Sequence, residues 1–468
     1  MPAFGKLGAS RVRRVLSAAG VAGLVVLSGC ADETPPSSPE QADDSAYYSG
    51  GETTIFNATS QAFTFPAPNV SQFDRHLDGD LAFDVAFIAA GGTVHSGLGP
   101  VFNDNACVAC HISNGRGRSA SGGVVGSLLL RASVPGTDPH GGPLPAPAFG
   151  GQLNDQAIFG TVPEVRVRVT YDILTRSFED GSTYELRQPR YELVDTYVPP
   201  PAGMLLSPRI GLPVFGRGLL EAVPEETILA LADENDADED GISGRPNWVW
   251  DVLAEDVALG RFGWKANQPS LVQQAAAAYR NDMGITNPLF PTESTTDQEQ
   301  HDGLEDDPEI PLETVELAAF YTQTLAVPAR RNIHDAAVIR GERLFEEAKC
   351  VRCHVARMET GPEAVDASLE NQVIHPYSDV LLHDMGEELA DGRPDFVATG
   401  SEWRTPPLWG LGLVRTVQGE VNLLHDGRAK SILEAVMWHG GEAEDSREAV
   451  RGMSGEEREA LVTFLESL

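Results

Sequence analysis

Two short stretches of this 468-residue chain concentrate its chemistry: ACVACH, with Cys107, Cys110 and His111, and KCVRCH, with Cys350, Cys353 and His354. In a Cys-x-x-Cys-His segment the two thiols can form thioethers with the two vinyl groups of one haem, while the adjacent histidine supplies an iron ligand. A zinc ribbon would set its cysteine pairs about 15–20 residues apart, whereas these pairs are separated by most of the chain. A dithiol redox pair needs neither His111 nor His354. The repeated histidine therefore points to two covalently bound haem c groups, attached at Cys107 and Cys110 and at Cys350 and Cys353.

Such sites need helices to hold them. In HDAAVIRGERLFEEAKCVRCH, Ile339, Leu344 and Phe345 fall on a helical period leading into the second motif. SGEEREALVTFLESL closes the chain with Ser454 and Glu457 spaced as a capping box, then Leu461, Phe464 and Leu465 on one face. In the N-terminal half, EVRVRVTYDIL alternates Val165, Val167, Val169, Tyr171 and Ile173, and STYELRQPRYELVDTYV follows the turn signal EDGS. This predicts a small β-insertion at about 160–198, ended by VPPPAG.

PVFGRGLLEAV (213–223) resembles PLWGLGLVRTV (407–417), and WKANQPSLVQQA (264–275) loosely parallels DGRAKSILEA (426–435). The expected fold is mainly α: two cytochrome c-like haem domains from a diverged duplication, 52–330 and 331–468, bridged by a helix over 312–327. The segment 233–247, DENDADEDGISGRPN, places Asp236, Asp238 and Asp240 at alternate positions before Gly241, with Ile242 set to offer its carbonyl. That pattern suits Ca²⁺ in a loop that is not an EF-hand, because position twelve is Asn247 rather than a bidentate Glu.

The N-terminus sets Lys6, Arg11, Arg13 and Arg14 ahead of a short apolar run ending in Leu27, Ser28, Gly29 and Cys30. This reads as an export signal over 1–30 with lipidation of Cys30, followed by a flexible Pro-, Ser- and acid-rich spacer over 31–51. The expectation is a periplasm-facing lipoprotein tethered to a membrane, with Ala31 after the lipidated cysteine suiting the outer membrane. In that oxidising compartment no cysteine beyond the two haem pairs is left for a structural bridge. Sixty-nine acidic against 34 basic residues give a net charge of −35, which argues against a nucleic-acid partner.

GLGPVFNDNACVACH, DADEDGISGRPN, GRFGWKANQPSLVQQAAAAYRNDMGITNPLFP, YSDVLLHDMG, EWRTPPLWGLG and LLHDGRA…WHGGEA together resemble the bacterial di-haem oxidoreductase family, over about residues 70–468. More distantly, the layout is similar to the di-haem cytochrome c peroxidases and to the di-haem enzyme that matures a tryptophan-derived quinone. The peroxidase pattern W-x₆-L-x₂-Q falls here on Trp264, Leu271 and Gln274. The resemblance makes Trp264 a relay between haems and Gln274 a residue of the peroxide pocket. Asp282 stands near the place of the peroxidases' acidic residue, two residues closer. The step that reaches a methionine ligand in the peroxidases arrives here at His439, with Met437 as a nearby competitor. That implies His354/His439 ligation of the C-terminal haem. His383 and His425 are expected to serve as hydrogen-bonding or core groups. His95 and His140 lack the spacing of the peroxidases' distal histidine, which leaves the sixth ligand of the first haem unassigned.

The function implied is an exported peroxidase-type oxidoreductase. Electrons from a soluble or membrane donor would enter at the C-terminal haem, pass Trp264, and reduce H₂O₂ at the haem held by His111, where Gln274 orients peroxide and Asp282 moves a proton. Two alternatives stand beside it: an oxidase using peroxide or oxygen on a substrate or partner protein, and a cytochrome that only transfers electrons.

Overall fold

The computed structural model describes residues 44–89, 94–120 and 126–468. The expected signal segment, Cys30 and most of the spacer lie outside the described residues. Among those described, no helix is long and apolar enough to cross a membrane.

Two crossed helix pairs carry the two motifs. In the N-terminal half, Phe73–Asp84 packs on Leu312–Thr324, and Leu271–Asp282 lies against the latter. In the C-terminal half, Ala336–Glu347 packs on Gly455–Ser467. Both crossings depend on a glycine: a Cβ on Gly79 would stand 2.4 Å from the Leu317 carbonyl oxygen, and one on Gly341 would stand 2.0 Å from that of Ala460. Val338, Leu344 and Phe345 form the buried stripe of the helix leading to the second motif and meet Leu461, Phe464 and Leu465. Burial of each such side chain stabilises by about 1.5–3 kcal/mol. Asp335 caps the first of these helices, and Ser454 with Glu457 forms the expected capping box on the second.

The mainly α expectation is not what the structure holds. The structure is 28% helix and 21% strand, and the described residues form eleven short α-helices and many small sheets. Its longest helices have 13 residues. The physical reason is punctuation: 47 glycines and 32 prolines break the chain into short elements, and much of it runs as loops around two interior cavities. The description as two cytochrome c-like domains does not follow from this architecture.

Two strand systems matter for the site. Leu128–Ser133 is the central strand of a three-stranded antiparallel sheet, between Leu205–Ile210 and Gln152–Leu153. Val165–Ser177 and Thr183–Thr196 form a long hairpin in the segment expected to be the β-insertion, with a register shift at Arg166/Val167. Its base packs Val165 and Val167 with Leu130 and Leu153. Its tip buries Phe178 and Leu186 in the core of the C-terminal helices, where Asp180 meets Arg458 at 2.7 Å. The hairpin is thus a strap joining the two halves.

The two similar segments, 213–223 and 407–417, meet each other. Gly216 and Gly410 both have left-handed backbone, φ 68° and 73°. A Cβ on Gly216 would reach the Trp409 ring at 2.6 Å, and one on Gly410 would reach the Phe215 ring at 2.7 Å. Each glycine therefore both turns its chain and admits the aromatic ring of the other segment.

Candidate functional site

Each Cys-x-x-Cys-His motif lines its own cavity. The first spans about 1250 Å³, its solvent-open mouth included, and is bounded by Cys107, Cys110, His111, Trp264, Gln274 and Asp282 among others. The second spans about 1320 Å³ on the same measure, bounded by Cys350, Cys353, His354, Trp403, His425 and His439 among others. Burial pushes the thiols of Cys107 and Cys350 up to about 12 and raises those of Cys110 and Cys353 as well. These surroundings disfavour thiolates, so they suit neither a reactive dithiol nor zinc.

The motif histidines and His439 are held neutral, the form in which an imidazole can ligate a metal. Burial pulls His111 and His354 down to about 4 and lowers His439. His354 Nδ1 donates to the Tyr377 carbonyl at 2.9 Å, and His439 Nδ1 donates to that of Ala435 at 2.8 Å. In both rings this orients the Nε2 edge and leaves it free for a metal. His354 is further lowered by the charge of His439, as expected for two imidazoles facing one space. His111 Nδ1 is buried without a hydrogen-bond partner. Its ring lies so close to Gly211 that a Cβ there would be 2.8 Å from Cε1.

The helix Leu271–Asp282, capped by Ser270, sorts the two glutamines of its first turn. Leu271, Gln274, Ala275, Ala278, Tyr279 and Asp282 all face the first cavity, the spacing of one helical face. Gln273 points elsewhere: its Oε1 accepts from Val252 N at 2.8 Å and its Nε2 donates to the Trp250 carbonyl at 3.0 Å. Asp282 is raised above the ordinary carboxylate range by burial, with opposing contributions from Arg131 and from Gln152, whose Nε2 donates to Asp282 Oδ1 at 2.8 Å. Asp282 also raises the Cys107 and Cys110 thiols, so it stands at the cysteine edge of the cavity.

Several other expected residues can now be placed. Met437 is buried in the C-terminal core and does not line the second cavity, although Met385 does. His383 has both ring nitrogens taken, by Asp379 at 2.7 Å and Glu442 at 2.8 Å. His425 stacks on Trp403 with centroids 3.9 Å apart, and burial pulls it down to about 4. His95 and His140 are exposed, and His140 stacks on Trp250. Among the described residues lining the first cavity, His111 is the only histidine.

Trp264 lines both cavities. Its Nε1 donates to the Ile210 carbonyl at 2.8 Å, and its ring meets His425 edge-on. Arginines surround it that motif reading did not single out. Arg131, Arg209 and Arg217 line the first cavity, while Arg116 and Arg404 line the second. Arg131 and Arg209 come from the paired strands Leu128–Ser133 and Leu205–Ile210. No local spacing signals them; strand register brings them together.

The acidic loop rearranges the expected set. Carboxylates of Asp233, Asp236 and Asp238 lie within 4.8 Å of one another. Asp240 turns instead to Arg352, at 3.1 Å, inside the second motif. Ile242 lines the second cavity, and Asn247 bonds the Lys265 and Asp395 carbonyls. Asp233 therefore stands in place of Asp240 among the grouped carboxylates, and Arg352 also reaches Asp238 of that group, at 3.4 Å.

The profile of a family described as "di-haem oxidoreductase, putative peroxidase" matches residues 44–468. No curated protein matches the chain. The family implies two haem groups. The two cavities fit them, since each pairs cysteines at the required spacing with a histidine held neutral by its surroundings, and the His354 ring donates Nδ1 to a backbone carbonyl.

Proposed function

The chain belongs to the di-haem oxidoreductase family, and from that premise we propose an exported peroxidase that reduces H₂O₂ in the first cavity with electrons received at the second. The observation that carries this reading is Trp264, whose indole borders both cavities.

Cys107 and Cys110 would hold one haem covalently, with His111 as its iron ligand; Cys350 and Cys353 would hold the other, with His354 and His439 on its iron. When bound, the haems supply redox equivalents and, at the first site, the coordination position at which peroxide is reduced to water. The protein supplies the rest. Gln274 presents its amide to the oxygen atoms of peroxide. Asp282, whose pKa burial raises, accepts a proton and returns it to the departing oxygen. Gln152 fixes the carboxylate, and Arg131 offsets its charge. Trp264 is the relay, locked by its bond to Ile210.

Export through residues 1–30, lipidation of Cys30 and attachment to the outer membrane belong to the same reading, with a soluble or membrane-bound electron donor. A calcium ion completes it, bound at Asp233, Asp236 and Asp238 rather than at Asp240.

Electron paramagnetic resonance of the oxidised holoprotein, repeated after stoichiometric H₂O₂, tests the proposal. One high-spin and one bis-histidine low-spin signal, with the high-spin signal consumed by peroxide, is the expected result. Two low-spin signals indifferent to peroxide, before and after one-electron reduction, would make the protein an electron carrier instead.

A further inference from the structure

Three buried guanidinium groups stand at the seam of the cavities without an acidic partner. Arg116, Arg217 and Arg404 are 5%, 6% and 1% exposed. None forms an ion pair among the described residues, in a chain with twice as many acidic as basic side chains. Their bonds go to neutral backbone: Arg217 Nε to Pro213 O at 2.7 Å, and Arg404 Nε and Nη1 to Gly263 O and Thr405 O, each at 2.9 Å. Arg116 Nε and Nη1 and Arg404 Nη2 are buried without any partner.

These three form one cluster. Arg217 feels the charges of both Arg404 and Arg116, and Arg404 feels that of Arg116. Arg217 lines the first cavity, Arg116 and Arg404 line the second, and Arg116 and Arg217 both line one further small cleft. Asp379, the acid whose charge acts on Arg404, already accepts from His383 at 2.7 Å. Each cavity is therefore polarised: Asp282 and Asp104 surround the first cysteine pair, Asp379 and Glu442 act on Cys353, and uncompensated cations collect at the seam. A buried cation cluster of this kind is stable only with anions supplied from outside the chain. A haem fixed through its vinyl groups presents its two propionate carboxylates away from the cysteine edge.

We propose that Arg116, Arg217 and Arg404 are a shared carboxylate-binding cluster for the propionates of the two haems, with Arg217 serving the first haem, Arg404 the second and Arg116 both. The proposal rests on the di-haem reading above. Paired guanidinium groups hold the propionates ionised, and their positive charge favours the reduced form of the iron they face.

Spectroelectrochemical titration of the holoprotein between pH 5 and pH 8 tests this, with Arg116→Gln, Arg217→Gln, Arg404→Gln and the corresponding Lys variants. Arg217→Gln should lower chiefly the midpoint potential of the first haem, Arg404→Gln that of the second, and Arg116→Gln both. Each Gln variant should also gain a pH-dependent segment that the wild type lacks, as the released propionate titrates. Lysine should restore most of the shift; where a Gln variant does not accumulate, the Lys variant should still show a smaller downward shift of the same haem. Potentials unmoved in every variant, with two haems counted by pyridine haemochromogen, would overturn the cluster while leaving the di-haem reading intact. Wild-type potentials that follow chloride or phosphate concentration would assign the cluster to an exchangeable anion and equally overturn it. Fewer than two haems in the wild type would bring down the di-haem reading itself, and the cluster with it.

Discussion

The backbone of Ile210 is clamped by Trp264: the indole Nε1 donates to the Ile210 carbonyl at 2.8 Å, while the Ile210 N–H donates to the carbonyl of His425 at 2.8 Å. Trp264 opens the segment 264–275 and His425 immediately precedes its counterpart 426–435, each six residues before a serine helix cap. The strand end is thereby fixed at the wall between the cavities, and the indole cannot rotate without leaving a buried carbonyl unpaired.

Trp264→Phe keeps much of the packing and removes the indole and its bond. We expect a loss of about 1–2 kcal/mol in stability from the orphaned carbonyl and slower re-oxidation of the second haem by peroxide. Stopped-flow spectra following each haem separately check this. Equal re-oxidation rates in variant and wild type would remove Trp264 from the relay.

Gln273 and Gln274 offer a matched pair. Gln274→Ala should lower peroxide turnover by on the order of 10²-fold with little change in unfolding. Gln273→Ala should spare turnover but cost about 1–3 kcal/mol, because Val252 N and Trp250 O lose their partner. Steady-state kinetics and thermal unfolding on both variants separate the two roles.

Asp282 carries a raised folded-state pKa, caused first by burial. As the proton acceptor it must be ionised, so the acidic limb of kcat/KM should lie above the ordinary carboxylate range and disappear in Asp282→Asn. The stability linkage has its own sign. A carboxyl with a raised pKa binds its proton more tightly folded than unfolded. Its contribution is fully present below the unfolded value near 3.9 and is lost as pH rises through the raised value. Asp282→Asn should therefore flatten the decline of stability across that window, as read by unfolding at a series of pH values.

Calcium should bind the holoprotein and raise its unfolding temperature, and chelation should reverse this; saturation at 100 times Kd corresponds to about 2.7 kcal/mol. Asp236→Asn and Asp238→Asn should abolish the effect, since both belong to the grouped carboxylates. Asp240→Asn should leave it largely intact, because Asp240 lies outside the grouped carboxylates. Calorimetric titration of the three variants decides, and an effect lost only in Asp240→Asn would restore the simple alternating pattern.

Local spacing in the sequence determined those features whose chemistry is local. The two Cys-x-x-Cys-His segments, the capping box at Ser454 and Glu457, the alternation that became the hairpin Val165–Ser177 and Thr183–Thr196, and Gln274 with Asp282 on one helical face all depend on neighbours a few residues away. Helix and strand periods make such neighbours legible. The balance of helix and strand was not legible, because helical cues at the motifs say nothing of how much chain is needed to wall two cavities. Tertiary structure alone decided that Asp233 joins Asp236 and Asp238 while Asp240 stays outside the group, and that the hairpin tip carries Phe178 and Leu186 into the C-terminal core. It alone gathered Arg116, Arg217 and Arg404, drawn from segments nearly 300 residues apart, at one seam. The physical reason is that burial and long-range charge are properties of the folded arrangement. A guanidinium becomes a binding group only when the fold removes its water and withholds a carboxylate.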